Sequence, residues 1–235
     1  MKYSEQFVVR SYEACGRGFL RPDALAGYFQ ETAWKSAEAL GFGYRAVVEH
    51  GWAWVLSRLL VRYERVPRWG EEVVVTTWPR PSEGIFACRD YLVEDAEGGV
   101  CIRATSRWLL LEAASRRPVR PERLVRTGLL EESAIEDAPL KLGPQGEVER
   151  VSEVIAGYLD VDPNGHVNNT RYIGWCTAGL VLRGGRPETW RGYHVNFVGE
   201  AHEGDVCTIW VGNGGVEVRK GDVALARMRV EPGSP

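Results

Sequence analysis

Hydrophobic positions along the chain fall into two patterns, and the pair recurs in the same order. Residues 3–12 read as a strand, extended most clearly over 7–12. Pro22 and Asp23 open a helix expected to run to about residue 40, with Leu25, Tyr28, Phe29 and Thr32 at i, i+3, i+4 and i+7 on one face. Gly41 and Gly43 stop it. Residues 52–63, 72–78, 86–94 and 100–111 are rich in β-branched and aromatic side chains and predict strands, with a hairpin turn at 95–99.

The second half repeats the plan. Residues 148–158 predict an extended segment, 168–182 a helix, and 190–199, 205–212 and 216–230 the strands. Tyr63 with Gly70 and Glu71 is echoed by Phe197 with Gly204 and Asp205 at the same spacing. Residues 113–146 hold Arg/Pro and Glu/Asp runs that fit no core and read as a linker. The expectation is an α+β chain of two domains, 1–112 and 147–235, each a long helix wrapped by an antiparallel sheet.

The chain has 235 residues, 44% of them hydrophobic, enough for one large or two small cores. A net charge of −3 suggests neither a general nucleic-acid surface nor an acidic tail. Five Cys are scattered without CxxC pairs, which fits reduced thiols better than a disulfide framework. The four His show no metal spacing, so neither a metal nor another cofactor is expected. No apolar run approaches the roughly 18 residues of a membrane span.

The chemistry concentrates in Asp162-Pro163-Asn164-Gly165-His166-Val167-Asn168-Asn169-Thr170-Arg171-Tyr172. Acid, amide and imidazole alternate at Asp162, Asn164 and His166, on a turn that opens a helix. The first free N–H groups of that helix point back at the turn, and the amides of Val167 and Asn168 are the expected oxyanion donors. Such a cluster suits attack of water on a carbonyl. An isolated Asp-x-Asn-Gly is usually only a turn and cap. Asn168-Asn169-Thr170 also fits a glycosylation sequon, which nothing else in the chain supports. His166 and the paired Asn exceed what a turn requires.

Asp162 to Trp175 resembles the active-site segment of the acyl-acyl carrier protein (acyl-ACP) thioesterases of plants and bacteria. Leu25 with Phe29-Gln30-Glu31-Thr32-Ala33 resembles the first helix of that family. Arg103-Ala104-Thr105-Ser106 with Trp108 resembles the strand closing its first half, and Phe197 to Glu200 with Gly204-Asp205 the strand and turn that carry a second carboxylate. The resemblance implies two tandem hotdog domains. It also implies hydrolysis of fatty acyl-ACP, releasing free fatty acid and ending chain elongation.

By the same resemblance Glu200 is catalytic, Asp162 activates water or fixes His166, His166 acts as base or orients one, and Asn164 positions the carbonyl or the water. One departure stands out: plant members commonly carry Cys directly after the Glu, and Ala201 occupies that position here. A cysteine nucleophile is therefore not expected, and Cys176 and Cys207 should be buried as small hydrophobes. Matching Tyr28 to Tyr172 sets Gly18, Leu20 and Pro22 opposite Asp162, Asn164 and His166, and Val66 opposite Glu200. The first copy then lacks the polar groups, so one site per chain is expected, with the N-terminal half shaping the acyl pocket.

Tyr28, Phe29, Trp52 and Trp54 are candidates for that pocket, although ordinary core packing explains them equally well. An acidic carrier protein should meet a basic patch. Arg116, Arg117, Arg120, Arg123 and Arg126 cluster in the linker, partly offset by Glu131, Glu132, Glu136 and Asp137. The shorter core Asp160 to Asn169 is shared with single-hotdog acyl-CoA thioesterases, which makes acyl-CoA the rival substrate. A hotdog hydratase would need a different His/Asp pattern, and a non-catalytic acyl-thioester sensor would not need all four polar residues. A strand-like opening, without the transit peptide of plant relatives, leads to the expectation of a bacterial cytoplasmic enzyme. Chain length and oligomeric state stay open, a homodimer among the options.

Overall fold

The structure, a computed structural model, describes residues 1–233. The first half comprises β1 (Tyr3–Val8), α1 (Pro22–Ala39), the short α2 (Tyr44–Glu49), β2 (Trp52–Tyr63), β3 (Glu72–Glu83), β4 (Phe86–Asp95) and β5 (Val100–Glu112). A two-residue strand, β6 (Pro118–Val119), folds back on β5. The second half comprises β7 (Val148–Ile155), α3 (Asn169–Leu182), β8 (Trp190–Phe197), β9 (Val206–Gly212), β10 (Gly215–Lys220) and β11 (Val223–Pro232).

All strands join one antiparallel sheet in the order β1-β3-β4-β5-β2-β8-β11-β10-β9-β7. The order is the same in each half read outward from the middle, where β2 and β8 pair from Arg58↔Asn196 to Arg62↔Gly192. Tyr91, Val93, Tyr193, Val195, Val216 and Val218 face one core with Leu25 and Phe29 of α1 and Tyr172 and Ile173 of α3. Each half is thus a hotdog, a long helix wrapped by antiparallel strands, and the two share one sheet.

Several elements differ from expectation. Residues 41–51 hold a short helix as well as the glycine stop, with Val47 buried against Leu110 and Val119. β3 runs on through Pro79 and Pro81 because it is irregular there, its register shifting between Arg80 and Glu83. The segment 216–230 is a hairpin, turned at Gly221, whose φ of +57° suits glycine.

The supposed linker does have a place in the core. After β6 it runs over the sheet face opposite the helices and buries Val119, Val125, Ala134, Ile135 and Leu142. Residues alternating with the core positions hold it there. Ala134 N–H donates to Asp90 Oδ2 (2.7 Å), Leu140 N–H to His194 Nδ1 (3.1 Å), Leu142 N–H to Asn196 Oδ1 (2.7 Å) and Gln145 N–H to Glu217 Oε1 (2.9 Å). Charge patterning missed this because the apolar anchors are single residues between charged ones, and their partners are buried polar side chains.

The His194 contact makes the strap acid-sensitive. Nδ1 accepts from Leu140 while Nε2 lies 3.1 Å from Glu231 Oε1, so the ring is held with its proton on Nε2. Burial lowers the His194 pKa from its ordinary value, the Glu231 contact opposing it only in part. The folded state therefore disfavours the imidazolium. This stabilisation is complete above the unfolded pKa of about 6.5 and declines as pH falls below it. Hydrogen-exchange protection of the Leu140 amide is expected to fall faster below about pH 6 than that of the Gln145 amide, whose acceptor Glu217 is held, against its burial, below the usual carboxylate range by hydrogen bonds. Parallel protection of the two amides down to pH 5 would disprove the coupling.

Candidate active site

The polar segment leaves β7 through a single 3-10 turn, Tyr158–Asp160, and enters α3 by a short reversal. Asp162 N–H bonds His166 O (2.9 Å), Gly165 N–H bonds Asp162 O (2.9 Å), and Asn164 N–H bonds Asp162 Oδ1 (2.8 Å). Gly165 takes φ +79°, which a side chain would strain. Asn168 is the N-cap, its Oδ1 accepting from Thr170 N–H (2.9 Å), and its Nδ2 donates to Gln30 Oε1 (3.1 Å) on α1. Half-buried Asp162 thus serves the turn with one oxygen, and Asn164 stands exposed at its tip.

Two hydrogen bonds clamp the end of β8 to this entry. Val167 N–H donates to Ala201 O and Ala201 N–H to the Tyr172 hydroxyl, each 2.8 Å. Both are made by Ala201, directly after Glu200, whose carboxylate faces His166, with Nε2 3.6 Å from Oε2. That separation is beyond a formed hydrogen bond, although catalytic contacts often tighten only with substrate bound. Both side chains are about one-third exposed, which leaves a water room to reach them. Arg116 meets the other side of Glu200 with two bonds, Nη1 to Oε1 (2.9 Å) and Nη2 to Oε2 (2.8 Å). The His202 ring stands edge-on to His166 at 4.8 Å between centroids.

The oxyanion donors expected at Val167 and Asn168 are spent. Val167 N–H bonds Ala201 O, and Asn168 N–H bonds Asp160 O (2.8 Å), because buried backbone donors must be paired. Asn169 N–H, at the first position of α3, makes no hydrogen bond among the described residues. It and the Asn164 side-chain amide are donors left free to meet an oxyanion.

A narrow cavity reaches this first turn of α3. Its walls include Phe29 and Gln30 of α1, Leu56 of β2, Trp108 of β5, and Asn169 and Ile173 of α3. The room inside it is about 30 Å³, far too little for an acyl chain, which enters only as these side chains part. Of the four expected pocket residues Phe29 alone lines it. Tyr28 is stacked on Phe7 at 4.2 Å with its hydroxyl donating to Glu13 (2.6 Å). Trp52 and Trp54 pack in the small cluster around Val47, Trp54 Nε1–H donating to Phe42 O (2.9 Å).

Hydrogen bonds also correct the register of the internal repeat. Leu20 N–H bonds Pro67 O as Val167 N–H bonds Ala201 O, and Cys15 N–H bonds Phe19 O as Asp162 N–H bonds His166 O. Cys15, Arg17 and Phe19 are therefore the counterparts of Asp162, Asn164 and His166, where the sequence match had set Gly18, Leu20 and Pro22. Phe19 under Arg68 (4.4 Å) occupies the place of His166 against His202, and Val66 that of Glu200. The two tyrosines used for the match lie on different turns of their helices.

Cys176 and Cys207 are fully buried. Burial pushes the Cys207 thiol up to about 11 and raises Cys176 further. Neither offers a thiolate near neutral pH. Sequence reading missed Arg116 as a site residue, because no local pattern ties it to Glu200. It also missed His202, although alternation along an extended segment sets residues 200 and 202 on one side.

A shared sheet, two helices and a carboxylate–imidazole pair at the start of the second helix place the chain among the double-hotdog proteins. The family model of the acyl-ACP thioesterase N-terminal domain matches residues 1–126, and that of the C-terminal domain residues 145–218. The chain belongs to the acyl-ACP thioesterase family. A palmitoyl-acyl carrier protein thioesterase, chloroplastic, of Gossypium hirsutum is 32% identical over 196 residues, covering 77% of this chain and 47% of its own. An oleoyl-acyl carrier protein thioesterase of Arabidopsis thaliana is 32% identical over 202 residues, covering 77% and 55%. The chain thus spans about half the length of these curated relatives. Among solved structures, an acyl-ACP thioesterase from Bacteroides thetaiotaomicron superposes with a TM-score of 0.85 at 27% identity, covering 98% of this chain and 97% of its own.

Proposed function

We propose that this chain hydrolyses the thioester of fatty acyl-ACP, releasing free fatty acid and ending chain elongation. The observation that carries the reading is the Glu200–His166 pair beside the entry to α3, whose first turn, at Asn169 and Thr170, lines the cavity although neither member of the pair does. Family membership and the plant relatives' names support the carrier-bound substrate.

In this reading the acyl chain lies between α1 and the β2–β5 strands, with the thioester carbonyl at the start of α3. Water is set between Glu200 and the carbonyl carbon. Glu200 accepts one proton as the C–O bond forms. Charge developing on the carbonyl oxygen meets Asn169 N–H, the helix N-terminus and the Asn164 amide. The C–S bond then breaks, and the leaving thiolate takes a proton from Glu200 or through His166. Asp162 keeps the turn, and with it His166, in place. No step calls on a metal or an organic cofactor.

The reading assigns residues 1–112 to a pocket-forming hotdog and 147–235 to the hotdog that carries the site. Residues 113–146 are the strap between them. Four of five free cysteines are buried, which suits a reducing, cytoplasmic setting. The carrier is expected to dock beside Arg117, Arg120, Arg123 and Arg126, all exposed. Arg116 leaves that set, because reversing its charge would disturb Glu200 directly.

The test is hydrolysis of matched acyl-ACP and acyl-CoA thioesters across chain lengths. The acyl-ACP kcat/KM is expected to be the higher and to fall with salt, since screening shortens to about 8 Å at physiological ionic strength. Arg117→Glu with Arg120→Glu should weaken acyl-ACP turnover and spare a small synthetic thioester. Equal rates on both carriers at every salt concentration would assign the enzyme to acyl-CoA. No turnover of any thioester would leave the sensor reading.

A further inference from the structure

Arg116 meets Glu200 directly and has no part in the reaction as drawn. It lies in the tight turn between β5 and β6, in the first half of the chain, where Arg116 N–H bonds Glu112 O and Glu112 N–H bonds Arg117 O, each 2.9 Å. Its φ is +58°, and among the described residues no other non-glycine has a positive φ. This left-handed region crowds Cβ against the backbone, so such turns favour Gly or Asn. Strain of this kind persists where surrounding contacts over-determine it.

The side chain supplies such a contact. It crosses to the second half and meets Glu200 with two parallel hydrogen bonds of 2.9 and 2.8 Å. A guanidinium fork fixes the plane of a carboxylate as well as its position, which an ammonium does not. Each carboxylate oxygen has two acceptor sites. The fork takes one on each, and Oε2 still faces His166 at 3.6 Å. Glu200 lies in the irregular segment just beyond β8, on a long, rotatable and partly exposed side chain, and the fork restricts the rotamers open to it.

We propose that Arg116 is the positioning residue of Glu200: a strained turn at the start of the strap, anchored on the end of β5, holds the carboxylate of the second hotdog in the orientation that faces His166. The inference rests on the hydrolase reading above. It gives the strap a part in the chemistry besides joining the two hotdogs.

Arg116→Gly separates this role from a structural one, because glycine fits the left-handed position better than arginine does. The variant is expected to keep or raise Tm while kcat falls by about 10- to 100-fold and KM moves by less than about threefold. Arg116→Lys, which keeps charge without the fork, should recover part of the loss. Combined with Glu200→Gln, Arg116→Gly should add no further loss, since both act through one carboxylate. Wild-type kcat in Arg116→Gly, a fall in Tm that parallels the fall in kcat, or fully multiplying effects in the double variant would each overturn the proposal. A wild type inactive on every thioester removes the hydrolase reading and this inference with it. An active wild type with an equally active Arg116→Gly removes the inference alone.

Discussion

Glu200→Gln and His166→Ala are each expected to lower kcat by about a hundredfold or more with the fold intact. Glu200 lies just beyond β8 and is partly exposed, and its hydrogen-bond partner Arg116 is also exposed, so the substitution opens no cavity. Gln keeps the shape but cannot take a proton from water. His166 contributes a ring beside the same oxygen, and its backbone, which holds the turn, survives truncation to Ala. Because the two act on one proton path, their combined loss should fall well short of the product of the single losses. Cys176→Ala and Cys207→Ala should keep most activity, given their burial and raised thiol pKa values. Single-turnover kinetics with circular dichroism on each variant checks this. Near-normal turnover in Glu200→Gln would remove the carboxylate from the chemistry. Inactivation by a thiol reagent that Cys207→Ala prevents would restore a cysteine mechanism.

What the sequence made legible here is what local pattern encodes. The two helix–strand repeats were readable because hydrophobic period follows secondary structure. The α3 entry was readable because turn and cap chemistry is local, and Asp162, Asn164 and Asn168 show it. Less legible was anything set by packing across the chain. Trp52 and Trp54 looked like pocket residues because pattern gives a strand face but not its neighbour, which is α2 and the strap rather than the cavity. The amides of Val167 and Asn168 looked free because their acceptors, Ala201 O and Asp160 O, are set by how β8's end and the preceding turn fold back. Arg116 was invisible as a site residue for the same reason: its partner lies in the other half of the chain.

Gly192→Val is expected to be strongly destabilising. Gly192 sits on β8 where that strand meets β2, paired with Arg62. A Cβ there would lie 2.2 Å from Val61 O and 3.2 Å from Arg62 Cα. Both are backbone atoms, so no side-chain rotation relieves the clash, and the strands must separate locally. The cost should be about 3 kcal/mol, at the upper end of overpacking penalties or beyond. The consequence reaches the site, because the β2–β8 ladder holds the two hotdogs in one sheet and so helps hold Arg116, anchored on β5 of one, against Glu200 of the other. Turnover should therefore fall together with the denaturant midpoint, although Gly192 touches neither residue. Gly16→Ala is the control: nothing lies within 4 Å of its added Cβ, so its midpoint should shift by no more than about 0.5 kcal/mol equivalent. Equilibrium unfolding and steady-state rates on the two variants decide the matter. An unchanged midpoint in Gly192→Val would mean that the two halves do not depend on this ladder, and that Arg116 reaches Glu200 by some other restraint.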